Sequence, residues 1–277
     1  MLAIGTDPIA VTLAATVGQQ PHFPGTIHDD NSARQFGYRG ALVPGIFLTA
    51  QLCALVVPAW GIDWLTRGTI GSRSRRPVYD SQDITIRASA VRDEGNGLAV
   101  DFEIADPDGN IAATGNATVP ARAPTPPDPA AFPVIPIAEA PPPIAPGSFR
   151  PGDRFGTRPE PITPAVHAES LAYFRQTWPD YAAKGLVHPT HLQRFANRHA
   201  IESYHLSTPP IFVSGQAQHF AAVRVGDVLT TSGVITAVYE RKGNHYYESE
   251  HVVISNGQTV AAHIRRTSIY AARRQGA

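Results

Sequence analysis

A histidine and two carboxylates stand side by side at His28, Asp29 and Asp30, and a glycine, Gly45, opens an apolar stretch further along the chain. Imidazole titrates close to neutral pH, so His28 can give and take protons, with Asp29 or Asp30 orienting it or acting as its partner carboxylate. The backbone N–H of Gly45, at a helix start, can hold negative charge on a carbonyl oxygen. Together these groups suit proton transfer next to a carbonyl.

Each of these residues also has a purely structural interpretation. Asp30 or Asn31 can cap the turn that follows, which would leave His28 as a solvated loop residue. Gly45 can serve only to let a helix pack closely against a sheet. The capping and catalytic roles are compatible, because one aspartate can fill each of them.

The segments around these groups must position them. Residues 45–57 are apolar on nearly every side, which predicts a buried helix that Pro58 and Gly61 end. Pro189 suits the first position of a second helix in the later part of the chain. Alternating, β-rich segments predict strands at 83–91, 98–104, 111–119, 227–238, 245–254 and 259–270.

The two halves of the chain look like copies of one unit. The segment 42–45 matches 186–189, and 82–85 matches 226–229 at the same separation, which indicates an internal duplication.

A proline-rich stretch divides the halves. More than half of the chain's prolines lie between Pro120 and Pro164, where they predict an extended polyproline linker on the surface. The expected organisation is therefore an N-terminal domain at 1–120, a linker at 121–164 and a C-terminal domain at 165–277.

The motif at 27–45 resembles that of the MaoC-like (R)-specific enoyl-CoA hydratases and dehydratases. In that family an acidic residue and a histidine precede a small helix, a glycine-aromatic step (here Gly37 and Tyr38) and a short turn into the central helix. The chain departs from the family in having Phe23 where the aspartate stands, and Pro44 where a histidine precedes the helix glycine.

The resemblance implies an α+β tandem (double) hot-dog fold, in which a long antiparallel sheet wraps around a buried central helix in each half. One chain would then mimic the homodimer of the single-domain enzymes, and two such chains could pair as a homodimer in turn.

The resemblance also implies a function: addition or removal of water at an α,β-unsaturated (enoyl or 3-hydroxyacyl) thioester of fatty acid metabolism, with an acyl-CoA or related thioester as substrate. His28, Asp29, Asp30 and Gly45 are the implied catalytic residues. Residues expected to contact the substrate are Tyr38, Pro44, Phe47, His188, Leu192 and Phe195. Alternatives are a thioesterase, a lyase or cyclase acting on another unsaturated substrate, or a non-catalytic acyl-binding module.

The composition of the chain limits the kinds of binding partner and cofactor that we expect. The formal net charge is zero, which argues against nucleic acid, and we expect no apolar run of the ~18 residues that span a bilayer. The single cysteine, Cys53, predicts a buried thiol and a cytoplasmic protein. Histidine spacing predicts no metal site, and no glycine-rich nucleotide loop occurs, so we expect no cofactor. Arg73, Arg75 and Arg76 form either a phosphate-binding cluster for coenzyme A or a solvated face.

Overall fold

The structure is a computed structural model that describes residues 2–17, 23–206 and 210–272. Its first half contains β1 (Ile9–Ala15), α1 (Asp30–Gln35), α2 (Gly45–Arg67), β2 (Thr69–Ser74), β3 (Gln82–Ala88), β4 (Arg92–Asp93), β5 (Gly97–Ala105) and β6 (Ile111–Pro120). The second half contains α3 (Pro164–Phe174), α4 (Pro179–Ala183), α5 (Pro189–Glu202), β10 (His205–Leu206), β11 (Ile211–His219), β12 (Val228–Arg241), β13 (Asn244–Ser255) and β14 (Thr259–Ala271).

One continuous antiparallel sheet carries both halves. Its described order is β1-β3-β5-β6-β2-β11-β14-β13-β12, and the halves join where β2 pairs with β11, from Arg73 opposite Ser214 to Thr69 opposite Gln218. Helix α2 packs on β6 and β2 and also on β11 of the second half, while α5 packs on β12 and β13. Counted outward from the β2–β11 junction, strands β2, β6, β5 and β3 of the first half correspond to β11, β14, β13 and β12 of the second half. This correspondence agrees with a duplicated chain.

Equivalent hydrogen bonds support the duplication. The amide of Val43 donates to the carbonyl of Val78 at 2.8 Å, and the amide of Val187 donates to that of Val223 at 2.9 Å. These bonds tie the segment just before each central helix to the loop ahead of a long strand. The helix starts in both halves are therefore fixed to the sheet in the same way.

Helix α2 is buried on most of its faces and continues past the predicted stop. Pro58 lies inside the helix, and the non-helical backbone occurs at Gly61, where φ is 58° and ψ is −144°. Proline removes one hydrogen bond without reversing the chain, whereas this positive φ requires glycine. The prediction that Pro58 ends the helix is therefore wrong, and Gly61 alone marks the break before a last turn that ends at Arg67.

The length of α2 also corrects the expectation about apolar runs. The helix has 23 residues and is long and apolar enough to cross a bilayer. Half of its most apolar window is buried inside the protein, and Leu52, Cys53 and Val56 are at most 1% exposed. The sheet packs around it as it would around any core helix.

Helix α5 has a different character. Pro189 occupies its first turn, as predicted, and His188 caps it by accepting a hydrogen bond from the amide of Thr190 at 3.2 Å. Leu192 and Phe195 turn one side into the core. Several charged and amide side chains occupy another side, so α5 is amphipathic where α2 is almost uniformly apolar.

The proline-rich segment does more than connect the halves. It contains a 3₁₀ turn at Pro129–Ala131 and three short strands, β7 (Pro143–Ile144), β8 (Arg154–Phe155) and β9 (Glu160–Pro161). Strand β7 pairs with β10, and both β8 and β9 pair with β12. The C-terminal part of the expected linker therefore belongs to the sheet of the second half.

Candidate active site

A cavity of about 720 Å³ lies between the two halves. The first half contributes the turn around His28, the start of α2 and the loop after β2, while the second half contributes α5 and strands β11, β13 and β14. His28, Tyr38, Pro44 and Gly45 are all in its lining. The structure thus brings together four of the residues that the motif singles out.

The ring of His28 is held by the backbone. Its Nδ1 lies 2.7 Å from the carbonyl oxygen of Leu42, and the ring packs against Phe23 with the centroids 5.1 Å apart. A carbonyl oxygen only accepts hydrogen bonds, so Nδ1 carries the proton in the neutral ring and Nε2 carries the lone pair. This tautomer suits a general base at Nε2.

Gly45 opens α2 at the wall of the cavity. Pro44, the residue before it, makes no side-chain cap. The first backbone N–H groups of the helix lie at the positive end of the helix dipole. A Cβ atom placed on Gly45 would lie 2.3 Å from Cδ1 of Phe212 on β11. A glycine is therefore needed at this position for α2 to pack closely on β11, and the same residue lines the cavity.

Asp29 and Asp30 are used by the loop rather than by the cavity. Asp29 caps α1 by accepting hydrogen bonds from the hydroxyl and amide of Ser32 at 2.7 and 3.1 Å, and these bonds lower its pKa. Asp30 accepts from the amide of Ala41 at 2.7 Å and pairs with Arg34. Neither carboxylate is in the described lining. The residue that caps α1 is therefore Asp29, and the expectation that Asp30 or Asn31 caps this turn is wrong; assistance of His28 by either carboxylate stays a prediction.

Tyr38 is half-buried in the cavity wall. Burial, with Tyr79 nearby, raises the pKa of its hydroxyl, so the group stays a neutral hydrogen-bond donor near pH 7. It is the aromatic residue of the glycine-aromatic step, and it meets the cavity from the segment that follows α1.

The remaining predicted contact residues lie outside this lining. Phe47 packs on Tyr173 and Phe174 and borders a smaller neighbouring cavity of about 310 Å³. His188 is fully buried, and burial holds its pKa well below the usual value. Leu192 and Phe195 are in the core. His188, Leu192 and Phe195 were expected to line the cavity, but they do not, because α5 turns its apolar side away from it.

The second half lines the cavity with charged and amide side chains as well as apolar ones, and the sequence did not predict the polar ones. Arg194, Asn197, Arg198 and Ile201 recur at helical spacing on α5 and face the cavity, and Arg266 reaches it from β14. The spacing of the α5 residues was a readable signal. No pattern in the sequence indicated that Arg266 lines the cavity, because only the pairing of strands in the sheet brings β14 beside the first half.

Two arginines of the predicted phosphate cluster reach the cavity. Arg75 and Arg76 are exposed residues in its lining, on the loop that follows β2.

Within the described part of the chain, no three His, Cys, Asp or Glu side chains group as metal ligands would. Cys53 is buried in the core, and burial raises its pKa to about 12, so the thiol is inert as a nucleophile.

Comparison with known proteins places the fold. No family model and no curated protein matches the chain. A protein described as a MaoC domain dehydratase from Chloroflexus aurantiacus J-10-fl is 15% identical, with 98% of this chain and 96% of that chain covered and a TM-score of 0.64. A conserved Mycobacterium tuberculosis protein with a double hotdog fold is also 15% identical, with 97% and 96% covered and a TM-score of 0.65.

Thioesterases share the same architecture. A protein described as an oleoyl thioesterase from Lactobacillus plantarum is 12% identical, with 99% of this chain and 100% of that chain covered and a TM-score of 0.54. Identities this low establish the fold and leave the reaction open. The chain has the double hot-dog fold, and the predicted fold class is confirmed.

Proposed function

We propose that the protein is a hydratase or dehydratase of α,β-unsaturated acyl thioesters, with coenzyme A as the carrier. The observation that carries this proposal is the pairing of His28, held as the Nδ1–H tautomer, with the uncapped start of α2 at Gly45 on one cavity wall. One group moves protons and the other holds negative charge, which are the two requirements of the reaction.

The thioester carbonyl would bind at the Gly45 amide. Its oxygen gains negative charge when water adds to the β-carbon, and a helix N-terminus stabilises that charge. The ring of Phe212, which packs against Gly45, keeps bulk water from this side of the helix start.

His28 would both take and return the proton. Nε2 accepts a proton from water as the oxygen forms its bond to the β-carbon, and the electrons of the double bond move onto the thioester oxygen. The imidazolium then gives that proton to the α-carbon as the carbonyl reforms, so the atoms and charges balance. Dehydration is the reverse of these steps.

Because Phe23 replaces the family's aspartate in the described lining, the proposed mechanism uses His28 as its acid/base group. Phe23 stands where the aspartate would be, and its ring packs on His28 at 5.1 Å. A phenyl ring restricts the imidazole without changing its charge. His28 therefore has to serve in both proton transfers.

Thioester hydrolysis is the second candidate, and the thioesterase neighbours of the fold favour it. His28 would then activate water toward the carbonyl carbon, with the same amide holding the oxyanion. The two reactions differ in their products, because hydrolysis releases a free thiol and hydration does not.

The test follows two signals on short, medium and branched enoyl-CoA esters: loss of the conjugated-enoyl absorbance and release of free thiol. We expect absorbance loss without thiol release, and we expect His28→Ala to slow it by about 10²–10⁴-fold, the usual contribution of a general acid/base group. His205→Ala, a change at an exposed histidine outside the cavity lining, is the matched control.

Other results assign the site differently. Thiol release that depends on His28 makes the protein a thioesterase. Turnover that survives His28→Ala removes the acid/base role, and binding without any turnover makes the protein an acyl-binding module.

A further inference from the structure

The cavity contains an excess of positive charge. Five arginines line it, namely Arg75, Arg76, Arg194, Arg198 and Arg266, whereas the carboxylate in the described lining is Glu202. A cavity that holds a hydrocarbon chain is normally walled by apolar side chains. Here the wall from the second half combines apolar side chains, such as Ile201, Ile211 and Ile269, with arginines, which suits a ligand that has both an apolar part and a negative charge.

Most of the inner arginines have carboxylate partners of their own. Arg194 lies 3.5 Å from Glu169, and Arg198 pairs with Glu160 and lies 3.8 Å from Glu202. Their charges are therefore largely compensated within the fold. They shape the wall but leave little charge for a ligand.

Arg266 is different. Its guanidinium lies over the ring of Phe212 at 5.2 Å, and its Nε donates to the hydroxyl of Ser268 at 2.9 Å. Among the residues that the structure describes, no carboxylate lies within 4.0 Å of it. Arg266 is half-buried, and this burial lowers the pKa of its guanidinium. A cation of this kind gains from an anionic ligand.

A second polar group in the same wall has no partner. The Oδ1 atom of Asn197 is buried and makes no hydrogen bond within the described part of the chain, although its residue lines the cavity. Buried amide groups are nearly always paired. Oδ1 only accepts hydrogen bonds, so it would take a donor group of the ligand and not its carboxylate.

We infer that the acyl group of the substrate carries a carboxylate, which Arg266 binds. The substrate class is then the monothioester of an unsaturated dicarboxylic acid. This inference rests on the proposed function, because that function places the thioester at Gly45.

The position of Arg266 favours the acyl end over the carrier. Gly45 and the Arg266 guanidinium both approach the ring of Phe212, so the guanidinium lies near the start of α2. The phosphates of coenzyme A are separated from the thioester by the long pantetheine arm. Exposed Arg75 and Arg76, at the open side of the cavity, suit those phosphates better.

The experiment measures binding, which does not depend on turnover. Saturated and therefore unreactive glutaryl-CoA and adipyl-CoA are titrated calorimetrically beside pentanoyl-CoA and hexanoyl-CoA, which match them in carbon number but lack the charge. We expect the carboxylated esters to bind roughly tenfold or more tightly, as a charge-assisted hydrogen bond predicts. We expect Arg266→Gln to remove that preference and Arg266→Lys to keep part of it.

Arg265→Gln is the matched control, because Arg265 is the exposed neighbour that pairs with Glu250 at 3.0 Å. It should keep the full preference. Arg266→Lys retains a cation over Phe212, so it decides the role of position 266 even where Arg266→Gln does not fold.

Two results would overturn the inference. The first is equal binding, or no binding, of the charged and uncharged esters by the unaltered protein. The second is an Arg266→Gln variant that weakens free coenzyme A and every ester to the same degree, which would assign Arg266 to the carrier phosphates. A clear preference without any enoyl turnover would instead contradict the proposed reaction and leave the anion site standing.

Discussion

At the scale of single residues, neighbouring polar side chains in this chain have separate tasks. His28 is bound through Nδ1 to the carbonyl of Leu42, whereas Asp29 and Asp30 bind backbone amides of the adjoining turns. Three groups that adjoin in the sequence thus divide between the cavity and the loop that supports it. The loop carboxylates contact the turn that bears His28 and lie outside the described lining of the cavity.

This division predicts different effects for two changes at Asp30. Asp30→Asn keeps an oxygen that can accept from the amide of Ala41, so kcat/KM should stay near that of the unaltered protein. Asp30→Ala leaves the amide of the buried Ala41 without its acceptor and should lower the free energy of unfolding by about 1–2 kcal/mol.

Urea unfolding and steady-state kinetics on both variants check this prediction. A loss of 10² or more in kcat/KM for Asp30→Asn, with unchanged stability, would return the carboxylate to catalysis.

At the scale of elements, the two central helices have diverged. Helix α2 is apolar on most of its faces and forms the core of the first half, while α5 is apolar on one side and charged toward the cavity. Both helices line the cavity, α2 through its first turn and α5 through Arg194, Asn197 and Arg198. The two halves therefore share one backbone fold, but their central helices present different surfaces.

The break in α2 gives a prediction about its stability. Gly61 has φ 58° and ψ −144°, a region that is essentially restricted to glycine, and an added Cβ there would touch nothing. Gly61→Ala should therefore lower the free energy of unfolding by about 1–3 kcal/mol through backbone strain alone.

Gly5→Ala is the control, since Gly5 also has open space around it and no positive φ. Chemical denaturation of both variants decides the matter, and equal stability of the two would show that the break at Gly61 is not strained for alanine.

At the scale of the whole molecule, buried histidines couple the fold to pH. Burial lowers the pKa of His199 and His219 to about 4 and that of His251 to about 3. In the unfolded chain these groups titrate near 6.5, so the unfolded state takes up protons first as the pH falls. Their contribution to stability is complete above pH 6.5 and is lost as the pH falls toward 4.

We therefore expect the free energy of unfolding to fall between pH 6.5 and 4, by on the order of 3 kcal/mol for each histidine. His219→Phe removes one titrating group, and its ring can keep the edge contact with Trp64, where the centroids are 4.7 Å apart. Denaturation curves at several pH values should show a shallower pH dependence for this variant. The exposed His205→Asn should leave the slope as it is, and an unchanged slope for His219→Phe would refute the account.

Several features of this protein follow from local sequence patterns. The strands at 228–241, 244–255 and 259–271 lie almost where alternation of apolar residues and the Asn256-Gly257 turn predict them. The apolar run at 45–57 and the repeated segments likewise predict a buried helix and two equivalent halves. Periodicity and turn chemistry act over a few residues, so the sequence alone shows them.

Only the tertiary structure decided which residues meet at the cavity. The sequence indicated His28 and Gly45, but it also offered Asp29 and Asp30 as candidates. The structure shows that Asp29 binds the amide of Ser32 and that Asp30 binds the amide of Ala41, while only His28 and Gly45 of these four lie in the described lining. Arg266 lies far along the chain and reaches the cavity because β11 joins β14 to the first half of the sheet. Long-range strand pairing sets such contacts, and no short-range pattern encodes that pairing.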